Sequence, residues 1–399
     1  MLQPSPEYRE RLDEKERILN EKIEAKAIKN ELLRIGTLKF LSSTAIFLTG
    51  FVGLPIAYYA QDVRTNQEIQ SHASIEIDTV GQAIDSANND KAILFVDGFG
   101  TNNGDAIAEN MGSAIQPLID AQRWSMNLNN ASLDKDKLVQ KIIETAHEKG
   151  VTTLWIVTHS AGGNIMAPTI VPLIEESNLT IPVVIFDSTP YDLETLRPAR
   201  QSEVELVKKF ILIPGAEDSS ELRRDAEALL RSDNYTHGDN VFENISDFIT
   251  TKNEVDANLK NNQLHGTRLM IDQLASIEKA NFKKTIKDIS ELPATKVRPV
   301  LIYAKTAHGA DDGIVDVDKT EKKLEDDVMR TKGKVRLISL DIPGAVHTRP
   351  DLATDSYKKV FASAKLEIAV DITEEAVRAS LHRVTSMMPY NPSKMKPEG

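Results

Sequence analysis

Residues 91–97, Lys-Ala-Ile-Leu-Phe-Val-Asp, form a near-continuous apolar run between the turn-like Asn88-Asn89-Asp90 and Gly98. A strand with no polar face must be buried on both sides, which is the situation of a parallel sheet sandwiched between helices. The chain around this run alternates strand and helix patterns, as crossover connections between parallel strands require. Residues 74–80 alternate in polarity like an edge strand. Helices are expected near 104–121, 134–149, 162–176, 317–331 and 353–368, and further strands near 123–128, 153–157, 181–186, 298–304 and 334–340. Residues 190–297 interrupt the alternation with a mainly helical stretch. Helices inserted between two core strands form a cap over the strand ends, where open α/β sheets bind ligands.

Three fragments follow predicted strands: Thr158-His159-Ser160-Ala161-Gly162-Gly163, Asp311-Asp312-Gly313-Ile314-Val315, and Pro343-Gly344-Ala345-Val346-His347. Parallel strands end on one edge of their sheet, so a serine, a carboxylate and a histidine are expected side by side there. These residue types in that combination can run nucleophilic catalysis: an imidazole takes the serine proton and a carboxylate orients the imidazole.

On these fragments, residues 91–189 together with 298–385 resemble the α/β-hydrolase superfamily, with 190–297 as its cap. The resemblance implies a mostly parallel sheet with helices on both faces and a triad of Ser160, Asp312 and His347. The family's nucleophile motif is Gly-x-Ser-x-Gly. Gly162 matches the trailing glycine, whereas Thr158 stands where the leading one belongs. Two other carboxylates compete for the acid role: Asp311, beside Asp312, and Asp187, at the end of the strand after the nucleophile helix, where some lipases carry their acid. Asp187 could equally cap the entry to the cap through Ser188 and Thr189. The oxyanion hole is expected from the backbone N–H groups of Ala161 and Phe99, and the loop holding Phe99 begins with Asp97 where the family usually has histidine. His159, before the nucleophile, is expected to serve packing rather than chemistry.

The organisation then reads as a charged helix over 1–39, a membrane anchor over 40–60, a linker and edge strand over 61–90, core segments 91–189 and 298–387 around the cap 190–297, and a tail 388–399. Phe40–Ala60 is a stretch of 21 residues without Asp, Glu, Lys or Arg, about 31 Å long as a helix, which is one bilayer. Lys26, Lys29, Arg34 and Lys39 precede it, so the positive-inside rule puts the N-terminus in the cytoplasm and the catalytic part outside. The long polar segment before it and the poor cleavage site at Tyr58 and Ala60 favour an uncleaved anchor over a signal peptide.

The net charge of −12 argues against a nucleic-acid partner. The absence of cysteine excludes disulfides, Cys-based zinc sites and a thiol nucleophile. Gly98-x-Gly100-x-x-x-Gly104 imitates a dinucleotide fingerprint, but its spacing is one residue long and no acid ends the next strand. His308, Asp311 and Asp312 fit no metal-ligand spacing, so neither cofactor nor metal is expected. Burying the charged run Arg223–Asp225 would be costly, so it is expected to face solvent. The apolar cap residues, among them Phe248 and Ile249, are expected chiefly to bury the cap against the core. The reading is a membrane-anchored, extracytoplasmic serine hydrolase acting on an ester or related acyl compound. An aminopeptidase or amidase with the same triad, or a non-catalytic anchored binding module, is the alternative.

Overall fold

The computed structural model describes residues 56–99, 104–129, 131–210, 213–230, 241–261, 266–309, 312–347 and 353–387. Seven strands form one sheet: β1 (Glu76–Gly81), β2 (Lys91–Val96), β3 (Gln122–Asn127), β4 (Thr153–His159), β5 (Val183–Asp187), β6 (Val300–Thr306) and β7 (Arg336–Ile342). Their spatial order is β1-β3-β2-β4-β5-β6-β7. Only β1 runs antiparallel, paired to β3 at the sheet edge, where a strand alternating in polarity is tolerated.

The helices are α1 (Ile56–Ser71), α2 (Asp105–Ile115), α3 (Lys135–Glu148), α4 (Ala161–Met166), α5 (Ile170–Glu176), α6 (Pro198–Phe210), α7 (Ser220–Leu230), α8 (Val241–Asn261), α9 (Arg268–Glu278), α10 (Phe282–Glu291), α11 (Val317–Arg330) and α12 (Thr354–Met387). The apolar run of β2 is explained by two cores. Ala92, Leu94 and Val96 face a cluster containing residues of α3, α5, α10 and α11. Ile93 and Phe95 face a second cluster with Met111 of α2 and Tyr357 and Phe361 of α12. Consecutive residues of a strand point to opposite faces, so a sheet covered on both sides needs apolar residues at every position. β4 and β5 divide in the same way, Ile156 and Phe186 on one side, Trp155 and Ile185 on the other. The direction of strand addition reverses at β2, which neighbours both β3 and β4. The loops after β2 and β4 therefore separate at a switch point, the usual ligand-binding crevice of such sheets.

Several expectations are corrected. Residues 61–71, read as part of a linker, belong to α1, which packs on the inserted helices. Tyr59 donates its hydroxyl to the Pro214 carbonyl at 2.8 Å, Gln67 donates to Asp218 at 2.8 Å, and Ser219 donates to Asp62 at 2.7 Å. Phe282–Glu291, expected in the cap, lies against the sheet instead: Phe282 meets Phe186 edge-on, with ring centroids 5.2 Å apart. Its strongly one-sided apolar face, Phe282, Ile286 and Ile289, is buried. Among the apolar residues between β5 and β6, Phe248 is buried and Ile249 is exposed. The terminal helix runs to Met387, well past the expected end near 368. Among the described residues no helix is long and apolar enough to cross a membrane. Residues 40–55 of the expected anchor lie outside the described residues, and 56–60 open α1.

The charged run on α7 also departs from expectation. Arg223 is fully buried. Its Nε donates to Glu227 one turn on at 2.8 Å, and its Nη1 donates to the Gly266 carbonyl at 3.2 Å. Asp225 is paired with Lys252 of α8. A buried ion pair of this kind offsets its desolvation only while both partners remain. Arg223→Ala, which strands Glu227, is expected to cost about 3–5 kcal/mol in urea unfolding. Arg223→Met combined with Glu227→Leu is expected to recover most of that loss.

Candidate active site

β4 ends at His159, and Ser160 sits between strand and helix with φ 51° and ψ −128°. For a residue with a Cβ this is strained backbone, tolerated where the surroundings over-determine it. Two fixed segments do so here. The Ser160 N–H donates to the Asp187 carbonyl at 2.9 Å, tying the turn to the end of β5. Gly162 passes so close to the end of β2 that a Cβ there would lie 2.5 Å from the Val96 carbonyl oxygen and 2.7 Å from that of Asp97. Thr158, in the place of the leading glycine, is accommodated without loss of the turn. It is fully buried, and its hydroxyl donates to the Ile185 carbonyl on the neighbouring strand at 3.0 Å.

The turn aims the Ser160 side chain at His347, whose Nε2 lies 2.8 Å from Ser160 Oγ. His347 Nδ1 is 2.9 Å from Asp312 Oδ2. A carboxylate only accepts, so Nδ1 carries the hydrogen and Nε2 is left with a lone pair facing the serine hydroxyl. Asp312 is held by its other oxygen: Oδ1 accepts the N–H groups of Ile314 at 2.9 Å and Val315 at 2.8 Å. This local turn explains the Asp-x-Ile-Val pattern. Burial of Asp312 pushes its carboxyl up, but the hydrogen bond and charge of His347 and the two N–H groups outweigh it and hold the carboxyl below its ordinary 3.8.

The structure thus brings Ser160, His347 and Asp312 into one hydrogen-bonded line. Asp187 is not on that line. It is fully buried, and its oxygens are taken by His159 Nδ1 at 2.6 Å and by the Tyr357 hydroxyl at 2.7 Å, so it neither reaches His347 nor caps the following segment. Asp311 lies outside the described residues. His308 is exposed, and among the described residues no group of three His, Cys, Asp or Glu side chains could hold a metal. His159, expected to serve packing rather than chemistry, is hydrogen-bonded to Asp187, and its ring sits 5.2 Å, centroid to centroid, from that of His347.

The candidate oxyanion donors come from the residue after the serine and from the loop after β2. Ala161 opens α4, where the first N–H groups of a helix have no partner within it. Gly98 lies against the nucleophile: a Cβ on it would come 2.8 Å from Ser160 Cβ. The Gly98 N–H is taken by the Asp97 carboxylate at 2.7 Å, which turns that acid back on its own backbone. The Gly98 carbonyl accepts from Gln273 Nε2 of α9 at 3.1 Å. That carbonyl and the Phe99 N–H belong to one planar trans peptide, so Gln273 sets the direction of the donor.

Arg197, at the root of the inserted segment, does the same for the acid loop. Its Nε donates to the Asp312 carbonyl at 3.0 Å and its Nη2 to the Gly309 carbonyl at 2.5 Å. Gln273, Arg197 and Tyr357 carry no motif. They meet their partners across 175, 115 and 170 residues, and no local spacing announces such contacts.

No family profile matches this chain, and no curated protein matches it. Solved structures are similar to this chain at low identity. A carboxylesterase from Nitrososphaera gargenis is 10% identical, with 75% of this chain and 96% of that chain covered and a TM-score of 0.44. An esterase from Exiguobacterium antarcticum is 9% identical, with 74% and 98% covered and a TM-score of 0.44. A bromoperoxidase from Bacillus anthracis is 12% identical, with 74% and 94% covered and a TM-score of 0.42. Likenesses this distant carry no chemistry over to this chain, which is read from its own side chains.

The elbow can be tested directly. Gly162→Ala drives a methyl into two backbone carbonyls that cannot swing aside, and is expected to cost about 1–3 kcal/mol in thermal or urea unfolding. The depressed Asp312 has a signed consequence too. Its contribution to stability is fully present above its ordinary value and is lost as pH falls through the lower folded value. Acid unfolding of Asp312→Asn is expected to lack that component, read as a shallower fall of ΔG with pH in urea titrations on the acid side.

Proposed function

We propose that this chain is a serine hydrolase that cleaves a carboxylic ester or related acyl compound through an acyl-enzyme on Ser160. The observation that carries the reading is the unbroken line Ser160 Oγ, His347 Nε2 and Nδ1, Asp312 Oδ2, with contacts of 2.8 and 2.9 Å. Hydrogen-bond contact between nucleophile and base, with the base oriented by a third group, is what activates a serine hydroxyl. His347 takes the Ser160 proton as the oxygen attacks the acyl carbon, and returns it to the leaving group. Asp312 keeps the imidazole in the productive tautomer and stabilises its cation. The Ala161 and Phe99 N–H groups receive the developing oxyanion. The inserted segment, tied to the loops at the strand ends through Arg197 and Gln273, is read as the source of the acyl-binding surface.

The chain is further proposed to be anchored by residues 40–60, N-terminus inward and hydrolase outward. The support is the charge-free length of that segment and the basic residues before it. α1 then begins within the last turn of the anchor and is fastened to the inserted helices through Tyr59 and Asp62.

Fluorophosphonate labelling of the full chain, with the adduct located by mass spectrometry, is expected to modify Ser160. Labelling is expected to disappear in Ser160→Ala and to fall at least about 10³-fold in rate in His347→Ala. The acid is settled by a pair of variants: Asp312→Asn is expected to lower kcat by about 10⁴-fold, as loss of the correct tautomer does, and Asp187→Asn by far less. A folded wild-type chain that takes no label sinks the hydrolase reading and leaves a ligand-binding module.

A further inference from the structure

Helix α9 buries a stripe of Leu269, Met270, Leu274 and Ile277, and Gln273 sits in the middle of that stripe with no exposure. Residues three and four apart face one side of a helix, so leucine or methionine would suit the position for packing alone. Taking a primary amide out of water is unfavourable unless its polar atoms are bonded. Gln273 Nε2 meets the Gly98 carbonyl at 3.1 Å, and because a carbonyl only accepts, the amide presents its NH₂ there. The preceding residue grips a second core loop: Asp272 Oδ2 accepts the Leu133 N–H at 2.9 Å. Two consecutive residues of an inserted helix thus reach the loops after β2 and β3.

Gly98 lies where no side chain fits. A Cβ on it would come 2.8 Å from Ser160 Cβ, 3.2 Å from the His159 carbonyl oxygen and 3.3 Å from Ser160 Oγ. The close approach demands glycine, and glycine leaves its two flanking peptides freer to swivel than any other residue would. Each of them is held from outside. Asp97 accepts the Gly98 N–H at 2.7 Å, which sets the peptide before it, and Gln273 donates to the Gly98 carbonyl, which sets the peptide after it. In a planar trans peptide the C=O and N–H point to opposite sides, so the bond on the carbonyl fixes where the Phe99 N–H is aimed.

We propose that Gln273 is a positioning residue through which the inserted segment aims the Phe99 N–H, so that the oxyanion site is complete only while α9 is seated on the loops after β2 and β3. The inference deepens the hydrolase reading above and rests on it for its kinetic consequence. Ser160, His347 and Asp312 all follow core strands, and their line of hydrogen bonds does not pass through α9. The donor after β2 takes its direction from the inserted helix instead. With α9 displaced, the serine would still meet its base, but one of the two N–H groups facing the developing charge would lose its aim. The start of α9 is fastened in turn: the Thr267 hydroxyl donates to the Ala216 carbonyl at 2.5 Å, and Arg268 Nη2 donates to Asp218 at 3.2 Å. Asp218 also accepts from Gln67 of α1, so the seating of α9 is linked to the N-terminal helix.

The test uses the full chain and two readouts. Gln273→Leu keeps the stripe apolar and removes the donor, and Gln273→Met, of similar length and also without a donor, is the second variant. Removing an oxyanion donor outright costs roughly 10²–10³ in kcat, and a donor left free to swivel is expected to cost about tenfold or more. With a p-nitrophenyl ester, kcat is therefore expected to fall by at least about tenfold while KM stays within about threefold. A packing role alone would move the melting point and leave kcat within about twofold of wild type, which overturns the proposal. Asp272→Ala is expected to lower kcat about threefold by itself and to add nothing in the Gln273→Leu background, because both act through one peptide. Additive losses overturn the seating of α9 as the cause.

The second readout needs no turnover. Glycine labelled with ¹³C at the carbonyl, combined with ¹⁵N-phenylalanine, restricts the spectrum to Gly-Phe peptides, of which the chain has two, Gly50-Phe51 and Gly98-Phe99. Phe99→Leu identifies the second by its loss. A carbonyl relieved of its hydrogen bond shifts the resonances of its own peptide, so the Gly98-Phe99 signal is expected to move in Gln273→Leu. An unmoved signal overturns the proposal. A wild-type chain that takes no fluorophosphonate while this signal moves sinks the hydrolase reading and leaves Gln273 as the residue that aims the peptide.

Discussion

The positive-φ turn at Ser160 is the constraint on which the rest of the site depends. It is affordable because both of its sides are rigid. β4 is locked between β2 and β5 in a sheet buried on both faces, and α4 is pressed against the carbonyls at the end of β2 with no room for a Cβ at Gly162. From that one turn the geometry follows. The side chain stands clear of the sheet edge, the first N–H groups of α4 lie next to it, and the loop after β2 passes within contact distance of its Cβ. Thr158 shows how the leading position of such a turn can carry a β-branched residue. Its hydroxyl hydrogen-bonds across to β5, so a side chain that the motif usually excludes becomes a cross-strand tie.

The inserted helices are joined to the catalytic loops rather than laid over them. Gln273 holds the Gly98 carbonyl, and Arg197 holds the Asp312 and Gly309 carbonyls. Each contact fixes a peptide plane in a loop that adjoins the Ser160–His347–Asp312 line. Displacing the inserted segment would therefore alter the loops after β2 and β6 together. α1 extends this coupling to the N-terminal side through Tyr59, Asp62 and Gln67. Two histidine–carboxylate pairs lie at the strand ends: Asp312 with His347, whose other ring nitrogen meets Ser160, and Asp187 with His159.

Much of the fold was legible in local pattern. The strands fell within a residue or two of their expected bounds because a two-faced core demands continuous apolar runs, and such runs are visible in a short window. The line Ser160, His347, Asp312 was reachable by placing three chemical groups at strand ends. The buried Arg223 was not reachable: its charge argued for solvent, and only the opposed Glu227 and the Gly266 carbonyl make burial tolerable. The same holds for residues 61–71. Their weakly amphipathic sequence reads as a polar connector until Asp218, Ser219 and Pro214 are found beside it. The extension of α12 past 368 was hidden because its outer face carries exposed Leu366, Val370, Val377 and Leu381, which blurs the periodicity that marks a surface helix.

By itself the sequence determined the doubly covered parallel sheet and the position of Ser160, Asp312 and His347 at strand ends. Both follow from periodicity and turn chemistry, which act over a few residues. Tertiary structure decided which carboxylate serves which histidine. Asp187 ends one core strand and Asp312 follows the next, and they are chemically alike. Asp312 alone lies within reach of His347, and Asp187 is claimed by His159 and by Tyr357, 170 residues away. Hydrogen bonds select among equivalent groups by distance and direction, and those are properties of the assembled topology, not of any segment.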